Sequence, residues 1–249
     1  MSDLPEPIPA ATLILIRPAR SGPPDLLLIE RAGNMAFAAG ALAFPGGRID
    51  PGDEEAARGE ALPDAAARIA AIRETIEETG IAVALDPPPD AATAQALRSG
   101  LAAGRGFLEL LVEAGLSLDL DSLTPFARWC PNFHETRRFD TLFFLAEAPP
   151  GAEPTADSTE SVRAFWASAA EALAEVESGR AHVIFPTRRN LERLGRFASI
   201  AEARADAERH PVRLITPWVE EREGGAFVCI PEDAGYPVTA EPLETARRR

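Results

Sequence analysis

Arg73-Glu74-Thr75-Ile76-Glu77-Glu78-Thr79-Gly80-Ile81 is the stretch on which the reading of this chain turns. It closes a helical pattern spanning residues 62–79, and Gly80 stands where a helix C-terminus favours a left-handed residue. At 3.6 residues per turn, Glu74, Glu77 and Glu78 lie at i, i+3 and i+4 and share one face. Ile69, Ile72 and Ile76 fall on the other side and are expected to anchor the helix in the core. Like charges at this spacing cost about 0.2 to 0.5 kcal/mol per pair on an exposed helix. Two readings account for the triplet. It is a solvated acidic face balanced by Arg73, or it is a set of hard oxygen ligands for Mg2+ or Mn2+.

Around this helix the pattern is mixed. Residues 11–17 (ATLILIR) and 25–31 (DLLLIER) read as paired strands joined by PARSGPP. Phe44-Pro45-Gly46-Gly47 reads as a turn, followed by an acidic loop, RIDPGDEEAARGEA. IAVAL after Gly80 reads as a strand, and residues 91–115 as a helical insertion of one or two helices. Strand signals return at 123–130, 139–146 and 162–167; helical patterns follow at 168–178, 187–194 and 200–210, and a last apolar pair surrounds Trp218 and Phe227. Without a regular βαβ rhythm, this order favours a mixed sheet flanked by helices. One domain is expected over residues 8–230, with 231–249 as a C-terminal tail that ends frayed.

Composition limits the partners. The 249 residues are 46% hydrophobic and 26% charged, consistent with one substantial core. With 39 acidic against 25 basic residues the net charge is −14, which argues against bulk attraction to nucleic acid or an anionic membrane. A polyanionic substrate must therefore be met by a metal ion or by local arginines. Every basic residue is Arg and none is Lys, a bias that goes with the abundant Ala. Cys130 and Cys229 lack CxxC spacing and read as buried thiols. No apolar run approaches the roughly 20 residues of a membrane helix, and residues 1–11 lack the features of a signal peptide, so a cytoplasmic protein is expected.

The stretch 73–81 resembles the second half of the Nudix box, Arg-Glu-U-x-Glu-Glu-x-Gly-U with U apolar; Thr75, at the first U, is its one departure. The resemblance implies a Nudix-type α/β/α sandwich with a mixed sheet and C-terminal helices, and a box spanning residues 47–81. In the first half of the box Gly47 is followed after five residues by Asp53, but 19 residues separate Asp53 from Arg73 where the family has seven. Asp53, Glu54 and Glu60 therefore compete for the place of the family's first carboxylate. An interrupted box is found in the coenzyme A diphosphatase group of the family. With that group the chain shares in pattern Arg31-Ala32, Gly40, FPGG, and Arg137-Arg138-Phe139-Asp140-Thr141. Ile29 and Ala36 stand where the general coenzyme A signature has Thr and a second Arg.

The resemblance implies that Glu74, Glu77 and Glu78, with the Gly47 carbonyl, bind Mg2+ or Mn2+, one carboxylate serving as base, while Arg73 orients them. It implies a further catalytic acid outside the box, for which Glu160 is the first candidate and Glu135 the second. Arg31, Arg137, Arg138 and Phe44 are the candidate substrate contacts. His134 is an alternative acid or base, and Trp129, Trp166 and Trp218 are expected in core packing. The implied activity is hydrolysis of a small nucleoside diphosphate derivative, coenzyme A or acyl-coenzyme A first. ADP-ribose or a dinucleotide is the alternative substrate, and a non-catalytic nucleotide sensor the alternative class. A homodimer is the candidate assembly.

Overall fold

A computed structural model describes residues 5–33, 38–131, 138–157 and 161–247. The chain opens with β1 (Ile8–Arg17), β2 (Asp25–Arg31), β3 (Leu42–Ala43) and β4 (Gly46–Arg48). Helices α1 (Pro51–Ala56) and α2 (Ala65–Thr79) follow. Next come β5 (Leu85–Asp86), α3 (Ala91–Ala102), α4 (Phe107–Ala114) and β6 (Ser117–Leu118). The long strands β7 (Thr124–Trp129), β8 (Phe139–Glu147) and β9 (Ser161–Ser168) precede helices α5 (Ala169–Glu177), α6 (Phe185–Leu194) and α7 (Ile200–Arg209). The chain continues through β10 (Leu214–Ile215), β11 (Trp218–Arg222), β12 (Gly225–Cys229), β13 (Ala240–Pro242) and α8 (Leu243–Arg247).

The main sheet is mixed, in the order β10-β7-β8-β1-β2-β3, with β4 added to β1 and β9 to β2. Parallel pairing with β8 runs the length of β1, from Ile8↔Phe139 to Ile16↔Glu147. On its other side β1 forks: Ala10–Thr12 pair with β4, whereas only Ile16 and Arg17 pair with β2. The expected β1–β2 hairpin is thus joined only beside its connection. The fork brings Gly46 and Gly47 alongside the first half of β1.

Alternation along β1 sets the layers. Leu13 and Leu15 join Ile69, Ile72 and Ile76 of α2 and Leu97, Leu101 and Leu110 of α3 and α4 in one core. Ile14 and Ile16 join Leu191 and Leu194 of α6 and Ala172 and Val176 of α5 in the other. Helices therefore cover both faces of a mixed sheet, the α/β/α arrangement expected.

Several local expectations are corrected. Phe44-Pro45-Gly46-Gly47 is not a turn; its glycines form β4, paired to β1. The acidic loop contains α1, whose amino end is closed when Asp50 N–H donates to Asp53 Oδ2 at 2.9 Å. IAVAL is not a full strand: Ala84 is left-handed (φ +57°), and only Leu85–Asp86 pairs, with β6. That short ladder closes the ends of the α3–α4 insertion. Residues after 230 are no loose tail, because β13 pairs with β12 and Tyr236 is buried against Trp129.

Candidate active site

The last turns of α2 carry the candidate site. Arg73, only 8% exposed, lies at its centre. It grips Asp53 with both edges of its fork, Nε to Oδ1 at 3.0 Å and Nη2 to Oδ2 at 2.8 Å. Nη1 donates to Glu74 Oε1 at 2.9 Å and Glu77 Oε1 at 3.1 Å, and Nη2 also donates to the Arg48 carbonyl at 3.1 Å. These bonds match the five N–H donors of a guanidinium. Burial opposes the charge of Arg73, but the hydrogen bond to Asp53 and the charges of Glu74 and Asp53 outweigh it, so its pKa is raised above the usual arginine value.

Of the three carboxylates that competed in the interrupted box, Asp53 is the one the fold brings to Arg73. It is 2% exposed, whereas Glu54 and Glu60 are exposed to solvent. Glu78, also 2% exposed, accepts from Gly46 N–H at 2.9 Å, which ties the carboxylate helix to β4. Gly47 is required by close approach: a Cβ there would lie 2.4 Å from the Glu74 carboxylate.

The other candidates divide. Arg31 ends β2 at a register shift opposite Ser161, half-buried, and among the described residues its Nε has no hydrogen-bond partner. Arg138 is committed within the chain, donating to Pro131 O, Pro5 O and Cys130 Sγ at 3.3, 3.4 and 3.1 Å. Phe44 is 3% exposed and packs in the core of the α5–α7 face, so it is not an open substrate contact as expected. Trp129 is buried as expected, donating from Nε1 to Tyr236 Oη at 3.0 Å; Trp166 is half-buried beneath Arg17, and Trp218 is exposed. Ala36, His134, Glu135, Arg137 and Glu160 lie outside the described residues.

The donor set consists of hard carboxylate oxygens, the type Mg2+ and Mn2+ take. The cradle at Gly47 also fits, since its missing Cβ keeps the main chain against Glu74. Among the described residues no three acidic, His or Cys side chains converge as a metal-holding group. Arg73 accounts for this locally, because its Nη1 sits between Glu74 and Glu77.

A mixed sheet with helices on both faces and carboxylates on the helix after a Gly-Gly strand defines the class as Nudix hydrolase. A NUDIX hydrolase from Alicyclobacillus acidocaldarius shares this architecture, with a TM-score of 0.71 and 30% identity over 80% of this chain and 96% of that one. The chain belongs to the Nudix family, residues 52–194 matching the NUDT19 Nudix domain. It is also similar to the acyl-coenzyme A diphosphatase NUDT19 of Homo sapiens, 27% identical over 266 residues, which cover 78% of this chain and 70% of the relative.

Proposed function

We propose that this Nudix hydrolase cleaves the diphosphate of coenzyme A or acyl-coenzyme A, giving 3′,5′-ADP and 4′-phosphopantetheine or its acyl form. The observation that carries the hydrolytic part is the assembly of Asp53, Glu74 and Glu77 around Arg73, complete despite the interrupted box. The substrate is taken from the likeness to the human acyl-coenzyme A diphosphatase.

Glu74, Glu77, Glu78 and the Gly47 carbonyl would hold Mg2+ or Mn2+. When bound, the ion neutralises the diphosphate and lowers the pKa of a bound water. Arg73 has its donors committed to the chain, so its part is to fix the carboxylates. Arg31, whose Nε has no partner among the described residues, is the arginine assigned to a substrate phosphate. One of the box carboxylates takes a proton from the attacking water, and Glu160 is the proposed further acid. The water oxygen bonds to one phosphorus, the bond from that phosphorus to the bridging oxygen breaks, and the other phosphate leaves with the bridging oxygen and its electron pair.

The test is incubation with coenzyme A, acetyl-coenzyme A, ADP-ribose, NADH and capped nucleotides in Mg2+ or Mn2+, with products identified by mass. The coenzyme A compounds are expected to have the highest kcat/KM and to yield the two fragments named. Faster cleavage of ADP-ribose overturns the substrate assignment.

A further inference from the structure

The last four carbonyls of an α-helix lack an intrahelical partner. In α2 they belong to Ile76, Glu77, Glu78 and Thr79. Gly80, left-handed at φ +72°, returns its N–H to Ile76 O at 2.9 Å. Thr155 N–H, from the loop before β9, donates to Thr79 O at 2.9 Å. The middle two belong to residues whose carboxylates form the candidate site, and one side chain from α3 meets both. Arg98 donates from Nε to Glu77 O at 3.0 Å and, at longer range, from Nη2 to Glu78 O at 3.5 Å.

This contact places a cation at the negative end of the helix dipole. It is also tightly packed: Arg98 Nη1 lies 3.2 Å from where a Cβ on Gly80 would stand. The bonds run to main-chain oxygens, so Arg98 acts on the site through the helix backbone. A last turn free to fray would let the Glu77 and Glu78 side chains swing with it.

The geometry points to Arg98 as a positioning residue, through which the α3–α4 insertion fixes the last turn of α2 and hence the carboxylates of Glu77 and Glu78. This rests on the proposed role of those carboxylates as metal ligands. It gives the insertion a task in the reaction, although α3 contributes no carboxylate to the site.

The experiment compares the full chain with Arg98→Met, which keeps an unbranched stem and removes the donors, and with Arg98→Lys. Arg105→Ala is the control, since Arg105 pairs on the surface with Glu109 and Glu113. The readouts are kcat and KM for coenzyme A, calorimetric Mn2+ affinity without substrate, and amide exchange at Gly80 and Ile81. Arg98→Met is expected to lower kcat and Mn2+ affinity by about tenfold each. KM should stay within about twofold, because the binding arginine is untouched, and both amides should exchange faster. Arg98→Lys is expected to recover part of each loss, as a point charge without the fork.

Wild-type kcat and Mn2+ affinity in Arg98→Met overturn the proposal, as does a loss that only tracks the unfolded fraction seen by circular dichroism. If Arg98→Met does not fold, Arg98→Lys decides, and unchanged Mn2+ affinity there overturns it. Failure of the underlying metal-ligand reading has another signature: Glu77→Gln then binds Mn2+ as tightly as the wild type.

Discussion

At the scale of single residues, Arg73 is bound to carboxylates from two helices. Asp53→Asn keeps the shape but leaves a buried guanidinium without its bidentate partner. A loss of about 3 kcal/mol is expected in urea unfolding. Glu54→Gln and Glu60→Gln, at exposed sites, should stay within about 0.5 kcal/mol of the wild type. Glu77→Gln and Glu78→Gln should each lower turnover about a hundredfold or more with an unchanged circular dichroism spectrum; wild-type rates in both would refute the proposed metal site. The three glutamates are legible as a face because helical spacing is local. Asp53 is not separable from Glu54 and Glu60 in the sequence, because its meeting with Arg73 depends on how the intervening 19 residues fold back. Arg98 carries no signal at all, since a side chain that meets carbonyls 20 and 21 positions away leaves no mark in local spacing.

Elements read best where burial has a period. The apolar face of α2 lies as expected, with Ile69, Ile72 and Ile76 no more than 1% exposed. Ile72→Ala, which removes a side chain beneath the site, should cost about 3 kcal/mol by denaturant unfolding with little change in the m-value. Strands mislead where composition and backbone disagree. IAVAL, from Ile81 to Leu85, has strand-like composition, yet the left-handed Ala84 breaks the extension and pairing begins only at Leu85. The FPGG segment looks like a turn by its Pro and Gly content, but its glycines serve close approach, letting β4 lie against β1 and Gly47 against Glu74.

Over the whole molecule, the least legible part is the end of the chain. Its Pro, Gly and acidic residues read as a tail, yet Glu241 of β13 meets the buried Arg189 of α6 at 2.9 Å, and Tyr236 Oη donates to Asn190 Oδ1 at 2.9 Å. Such partners are distant in sequence and leave no periodic trace. Burial pushes the Tyr236 hydroxyl up to about 12, with Arg193 and Trp129 opposing it. Because the folded pKa lies above the ordinary value of 10.0, its contribution to stability is full below pH 10 and is lost as pH rises towards 12. Tyr236 is the single tyrosine in a chain without lysine, so tyrosinate absorbance reports on it alone. The folded protein should titrate near pH 12, and a midpoint near 10 would contradict the burial. Tyr236→Phe should cost about 2 kcal/mol in urea unfolding, because it strands the buried Trp129 and Asn190 groups.

The turn between α1 and α2 has a practical consequence. Arg58, Gly59 and Glu60 are exposed, and a Cβ on Gly59 would meet nothing within 4 Å, although its φ of +95° disfavours a side chain. Asp53 on one side and Arg73 on the other remain clasped to each other. A fluorophore attached through Glu60→Cys would therefore sit within the interruption of the box while leaving its clasp intact, turning the interrupted spacing into a place from which ligand arrival can be watched.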